Sequence, residues 1–206
     1  ECHEVFPKIQ GENPPFVDVT GDGRPEIVTH SEGFWGYVAP DWRAPEKPWR
    51  FHRLGAEGDW PQFHHGQGAG DISGDGQAEI IGLDGDGKVV TFLRDATSGA
   101  WTQLPATSTP AWDDKGTDWS ESTHYETLQL VDLDGDRVDE LVARASRGII
   151  AARFDAASSA WIPLNPGPEL SDAAGWNKSR FSSTIRFGDV DGQPGVELVA
   201  LDAGPG

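Results

Sequence analysis

"VDVTGDGRPEIV", residues 17–28, places Asp18, Thr20, Asp22 and Glu26 within nine residues, with Gly21 and Gly23 between them and apolar residues on either side. Anionic side chains held that close repel one another, so something must offset the repulsion. The stretch recurs. "DISGDGQAE" (71–79) and "DLDGDRVDE" (132–140) repeat its core, and "DVDGQPGVE" (189–197) is a looser copy. The first aspartates of the four copies lie 53, 61 and 57 residues apart.

The flanks repeat as well. Each glutamate is followed by two aliphatics: Ile27-Val28, Ile80-Ile81, Leu141-Val142 and Leu198-Val199. A glycine turn follows, at Gly33, Gly87, Gly148 and Gly204. "RDATSGAWTQL" (94–104) matches "FDAASSAWIPL" (154–164), and Trp119 and Trp176 each stand thirteen residues before the first Asp of their unit. Self-similarity at this period marks a repeat architecture. The units run approximately over 11–60, 61–110, 111–168 and 169–206, the last one incomplete.

Each unit reads as strands. "TLQLVD" (127–132) and "TIRFGD" (184–189) alternate apolar and polar residues. "KVVTFLRD" (88–95) and "GIIAARFD" (148–155) are strand-length and lie at glycine turns. "ELVARASRGIIAARF" (140–154) has helix-forming composition, but its aligned copy is broken by the hairpin signal "DGDG" (84–87), where Asp84 and Asp86 read as turn residues. A unit is therefore about four short antiparallel strands. One ends at the first Asp, one starts near the Glu, one follows the Gly and one surrounds the Trp. Four-stranded sheets at this period predict an all-β chain of propeller blades, about three and a half of them.

Oxygen donors at positions 1, 3, 5 and 9 of a tight loop can converge on one point. Calcium takes six to eight oxygens, from carboxylates, hydroxyls and carbonyls. Gly23 and Gly76 at position 6 permit the bend, and the position-7 carbonyls of Arg24, Gln77 and Val138 could add a ligand. An EF-hand begins similarly, but its Glu comes at position 12 and helices flank it. Zinc is disfavoured because the loops offer no Cys or His. The alternative is a set of plain Asp-Gly hairpin turns; four aligned copies ending in Glu favour cation sites. The third loop carries Arg137 at position 6. The fourth carries Gln193 and Pro194 at positions 5 and 6, so its site is expected to be the weakest or empty.

The units resemble the FG-GAP (VCBS) repeat family, the calcium-loop blades of integrin-like β-propellers. The resemblance implies that the acidic loop joins the first and second strands of a blade. It implies metal positions at Asp18, Thr20, Asp22 and Glu26; at Asp71, Ser73, Asp75 and Glu79; and at Asp132, Asp134, Asp136 and Glu140. Asp189, Asp191 and Glu197 are the corresponding positions of the fourth loop. Such propellers usually have seven blades. The expectation is therefore further blades from a longer parent chain, or self-association that closes the ring.

Composition narrows the partners. The net charge of −18 disfavours nucleic acid and anionic membrane surfaces. No apolar run approaches the roughly 20 residues of a membrane span. With 26 Gly, 15 Pro and nine Trp, the chain is turn-rich and not of disordered composition. It does not begin with Met, which suggests a mature form or a piece of something larger. Cys2 is the only cysteine, either an unpaired thiol or a bridge to a segment outside this sequence.

Two function classes follow. The first is a binding module, calcium-stabilised and extracellular, where calcium is abundant. Trp35, Trp42, Trp49, Trp60, Trp112, Trp119 and Trp176 are aromatic candidates for stacking on sugar rings. The repeat-matched Trp101, Trp161, Trp119 and Trp176 are expected to pack between blades, which leaves Trp42, Trp60 and Trp112, in Pro/Asp/Gly-rich loops, as the ligand candidates. Some integrin-like propellers are lectins, so the resemblance allows a carbohydrate or cell-surface ligand. The second class is an enzyme. "FHHGQGAGD" (63–71) resembles the His-Gly-rich approach to a blade in propeller domains of aldos-2-ulose dehydratase-like proteins. That resemblance implies a metal-dependent action on a keto-sugar, with His64 and His65 as candidates and His30, His52 and His124 as possible companions. No Ser/His/Asp motif, P-loop or dinucleotide fingerprint is present. Asn177-Lys178-Ser179 is a glycosylation sequon.

Overall fold

The computed structural model describes residues 15–31, 34–39, 41, 43–44, 47–54, 67–83, 88–104, 121–165 and 167–201. Three four-stranded antiparallel sheets follow one another along the chain, each with its strands in sequence order. The first holds β1 (Phe16–Val17), β2 (Glu26–Ser31), β3 (Phe34–Ala39) and β4 (Arg50–Arg53). The second holds β5 (Gln67–Gly70), β6 (Glu79–Leu83), β7 (Val89–Arg94) and β8 (Trp101–Gln103). The third holds β9 (Gln129–Val131), β10 (Glu140–Ala145), β11 (Gly148–Asp155) and β12 (Ala160–Pro163). The fourth unit contributes β13 (Arg186–Gly188) and β14 (Glu197–Val199) as a two-stranded sheet among the described residues. The fold is all-β, an open run of three blades and part of a fourth.

The acidic stretch sets the register of every blade. In each unit the glutamate opens the second strand and lies opposite the residue just before the first aspartate. The pairs are Glu26↔Val17, Glu79↔Gly70, Glu140↔Val131 and Glu197↔Gly188. Fixing that one pair fixes which side chains of the sheet face each neighbour, because strand side chains alternate. The stretch 140–154 is the hairpin β10–β11, as the aligned "DGDG" requires. At its corner Gly148 adopts φ +131°, and a Cβ there would meet the Pro168 carbonyl oxygen at 2.8 Å.

Two short helices stand outside the strand pattern: α1 (Ser122–Tyr125) and α2 (Ser179–Ser182), each just ahead of a first strand. They are 57 residues apart and end alike. The Thr127 hydroxyl donates to the His124 carbonyl at 2.6 Å, and the Thr184 hydroxyl donates to the Phe181 carbonyl at 2.7 Å. A hydroxyl three residues back on a carbonyl closes the turn and releases the chain into the strand.

The core lies between blades. Val19, Val28, Leu54, Ile80 and Phe92 join the first and second sheets, with Trp101 packed against them. Ile81, Leu83, Leu141, Ala152, Phe154 and Trp161 join the second and third. Ile149, Trp176 and Ile185 join the third and fourth. Trp161 is 4% exposed, and its indole N–H donates across the junction to the Thr91 hydroxyl at 3.0 Å. Trp101, Trp161 and Trp176 thus sit in interblade packing, whereas Trp119 lies outside the described residues. No helix among the described residues is long and apolar enough to cross a membrane.

Candidate metal loops and their surroundings

Each loop is built around its first aspartate. In the first, Asp18 Oδ1 accepts the N–H groups of Gly21 (2.7 Å) and Asp22 (3.2 Å), and Oδ2 accepts that of Gly23 (2.6 Å). The second repeats this on Asp71, with Gly74 (2.7 Å), Asp75 (3.2 Å) and Gly76 (2.8 Å). The third repeats it on Asp132, with Gly135 (2.7 Å), Asp136 (3.1 Å) and Arg137 (2.9 Å). In the fourth, Asp189 accepts from Gly192 at 2.6 Å, but Pro194 stands at position 6 and has no N–H to give. Backbone donors thus pin the position-1 carboxylate in place and offset part of its charge.

The glutamate closes the loop from the other side. Glu26 Oε2 accepts from Val19 (3.1 Å) and Thr20 (3.2 Å), and Glu79 Oε2 from Ile72 (3.1 Å) and Ser73 (3.2 Å). Glu140 Oε2 accepts from Leu133 at 2.8 Å, and Glu197 Oε2 from Val190 at 3.0 Å. The Thr20 hydroxyl lies 3.5 Å from Asp18 Oδ1, and the Ser73 hydroxyl lies 3.4 Å from Glu79 Oε1. At position 5, Asp22, Asp75 and Asp136 accept the backbone N–H of Arg24, Gln77 and Val138 at 3.0, 2.9 and 2.9 Å. In the fourth loop the matching bond shifts, and the Gln193 N–H donates to Asp191 at 2.8 Å.

Burial makes three of the loop glutamates costly to ionise. Glu26 and Glu140 are raised above the ordinary carboxylate range, chiefly by burial. Glu79 is pushed up to about 7 by burial, reinforced by the charge of Asp75. A divalent ion is the kind of neighbour that would relieve this. The donor sets of the first and fourth loops fit calcium: one oxygen each from Asp18, Asp22 and Glu26 falls within 4.8 Å of the others, and Asp189, Asp191 and Glu197 converge in the same way, whereas Asp71, Asp75 and Glu79 of the second loop are not drawn that close together. The fourth loop, for all its departures in sequence, brings its carboxylates together.

The third loop differs. Asp132, Asp134 and Asp136 also converge, but Arg153 of β11 reaches into the loop. Its Nε donates to Glu140 Oε1 at 2.7 Å and its Nη2 to Asp134 Oδ2 at 2.7 Å, with Asp136 Oδ2 at 3.3 Å. Sequence reasoning missed Arg153, which lies thirteen residues beyond Glu140 in sequence but beside it across the β10–β11 ladder. It also missed Asp139, whose carboxylate accepts the Asp71 N–H of the preceding blade at 2.9 Å. An acidic residue at the eighth loop position, where the other copies have Pro25, Ala78 and Val196, was the available signal.

The loops of neighbouring blades touch. A Cβ at Gly74 would lie 3.1 Å from Val138 Cγ2, and one at Gly135 would lie 2.7 Å from the Gly195 nitrogen. A Cβ at Gly21 would lie 3.8 Å from Gln77 Oε1, which in turn accepts from Arg94. Beside this row a cavity of about 380 Å³ opens at the second–third blade junction, lined by Ser73, Asp136, Val138, Arg153, Ile162 and Leu164 among others.

The ligand candidates Trp42, Trp60 and Trp112 and the histidines His64 and His65 lie outside the described residues, as do Asp84 and Asp86. Of the companion histidines, His52 is on β4 of the first blade, stacked on Tyr37 at 4.8 Å. His124 is buried on α1 ahead of the third blade, 3.6 Å from Asp172. Asn177 of the sequon is exposed.

No described protein family and no curated protein matches this chain by sequence. Among solved structures, the chain is similar to an Agrocybe aegerita lectin described as specifically recognising non-reducing terminal N-acetylglucosamine. The two are 18% identical with a TM-score of 0.61, over 90% of this chain and 45% of the lectin. The likeness supports a propeller-like arrangement of the blades. The chain spans less than half the length of that lectin.

Proposed function

We propose that this chain is a calcium-stabilised propeller module of the FG-GAP type that binds carbohydrate outside the cell. The observation that carries the reading is the convergence of carboxylates in the first, third and fourth loops, beside the buried glutamates Glu26, Glu79 and Glu140, within a fold shared with a sugar-recognising lectin. Calcium at these loops is structural: it offsets the carboxylate repulsion and braces adjoining blades. The sugar site belongs to loops at the blade ends, with Trp42, Trp60 and Trp112 offering aromatic faces. Further blades, from the parent chain or from a second copy, would cover the apolar edge at Val199 and Leu201, which are 47% and 67% exposed. The dehydratase reading is not strengthened by the described histidines: His30 and His52 stand on strands of the first blade and His124 on the helix ahead of the third.

A glycan array probed in millimolar calcium and again in chelator tests the reading. The expected result is selective sugar binding, weakened by chelation and abolished by replacing Trp42, Trp60 or Trp112 with Ala. Folded, calcium-loaded protein that binds no glycan would overturn the carbohydrate assignment. An unchanged melting temperature in chelator would overturn the calcium assignment.

A further inference from the structure

Arg153 places a guanidinium directly on the carboxylates of the third loop. Its guanidinium contacts Asp134, Asp136 and Glu140, three of the four side chains that the loop pattern offers to a cation. The fourth, Asp132, is already held by three backbone N–H groups. Glu140 is fully buried and its two oxygens are both taken, Oε1 by Arg153 and Oε2 by the Leu133 N–H. By strand register, the place of Arg153 beside the loop glutamate belongs to Leu93 in the second blade and Ala39 in the first. Neither can supply charge.

We propose that the third loop carries its cation covalently: Arg153 takes the place of calcium there, and the loop does not bind the ion. A planar, permanently charged group with a fork of donors suits several carboxylate oxygens at once. Calcium could enter only by displacing the guanidinium from all three carboxylates. The calcium loops are thus unequal. The third loop, held by Arg153, stays braced when free calcium falls, while the first and second loops lose their ion. This rests on the calcium reading above for those other loops.

Equilibrium dialysis with radioactive calcium at millimolar free ion tests the idea on wild type, Arg153→Leu, Arg153→Gln, Asp134→Asn/Asp136→Asn and the triple variant with Arg153→Leu. Circular dichroism confirms that each is folded. The expected result is that Asp134→Asn/Asp136→Asn binds as many ions as wild type. Arg153→Leu or Arg153→Gln gains one ion, and the triple variant loses it again. The proposal is overturned if Asp134→Asn/Asp136→Asn binds one ion fewer while Arg153 is intact. It is also overturned, alone, if wild type binds calcium and neither Arg153 variant gains any. Wild type that binds none, beside an Arg153 variant that binds one, would sink the calcium reading of the other loops and sustain this one. No binding by any of them overturns both.

Discussion

Asp71 and Asp139, on neighbouring blades, grip each other by two hydrogen bonds running in opposite directions. The Asp139 N–H donates to the Asp71 carbonyl at 2.7 Å, and the Asp71 N–H donates to Asp139 Oδ2 at 2.9 Å. The second loop is therefore anchored by the third at the residue that organises it. Truncation by Asp139→Ala leaves the Asp71 N–H without its acceptor, and a cost of about 1–3 kcal/mol is expected. Asp139→Asn keeps an acceptor oxygen and is expected to cost less than about 1 kcal/mol. Urea titration of the two variants beside wild type checks the order.

The raised carboxylates predict a pH dependence with a definite sign. Asp139 is pushed up to about 6 from 3.8, and Glu79 to about 7 from 4.5, burial being the main cause in both. A group whose folded pKa lies above its unfolded value favours the fold while protonated. That contribution is fully present below the unfolded value and is lost as pH rises through the folded one. In chelator the melting temperature should therefore fall between about pH 4 and 7. Glu79→Gln should flatten the fall, and saturating calcium should remove most of it by favouring the ionised carboxylate. Asp95 and Asp155 are held low by the hydroxyls of Ser98 and Ser158, so their opposite effect appears only at more acid pH. A profile that climbs across this range in chelator would contradict the assignment.

Arg144 is fully buried and ties three segments together. It donates to the Leu170 carbonyl at 2.9 Å and the Thr123 carbonyl at 3.1 Å, and it pairs with Asp172. Removing one partner of a buried pair strands the other. Asp172→Asn should cost about 3 kcal/mol or more by denaturant titration, because it leaves the buried Arg144 charge unpaired, and Arg144→Met less, because the Asp172 it strands is partly exposed.

Arg137 occupies the left-handed region at φ +73°, where the first two loops use Gly23 and Gly76 at +83° and +84°. A side chain there is strained. Arg137→Gly should raise stability by about 1 kcal/mol in chelator, read as a higher guanidinium midpoint.

Much of the fold was legible because one sequence interval controls it. Nine residues from Asp to Glu fix the hairpin, and Glu26, Glu79, Glu140 and Glu197 then set the same register four times. The hairpin at 140–154, helix-like in composition, was recovered only by aligning it with "DGDG". Arg153 and Asp139 were not legible, since their meaning depends on which strand or blade lies beside them. The two short helices were missed because four residues carry no periodicity; the matched Thr127 and Thr184 were their trace. The reading of the fourth loop from Gln193 and Pro194 as the weakest did not foresee that Asp189, Asp191 and Glu197 would still converge. Backbone donors to Asp189 and Glu197 suffice to aim those side chains inward.

The contact of each loop's glycine with the loop after it has an evolutionary corollary. Gly74 leans on Val138, and Gly135 on Gly195, so the interlocking part is staggered relative to the repeat in sequence. A duplicated or transplanted blade would bring its own loop but meet a stranger's residue pressed into it. Shuffling single units should thus break these contacts wherever the cuts fall, because Gly74 and Val138, like Gly135 and Gly195, lie farther apart in sequence than the loops that carry them; tandem units moved together should fare better.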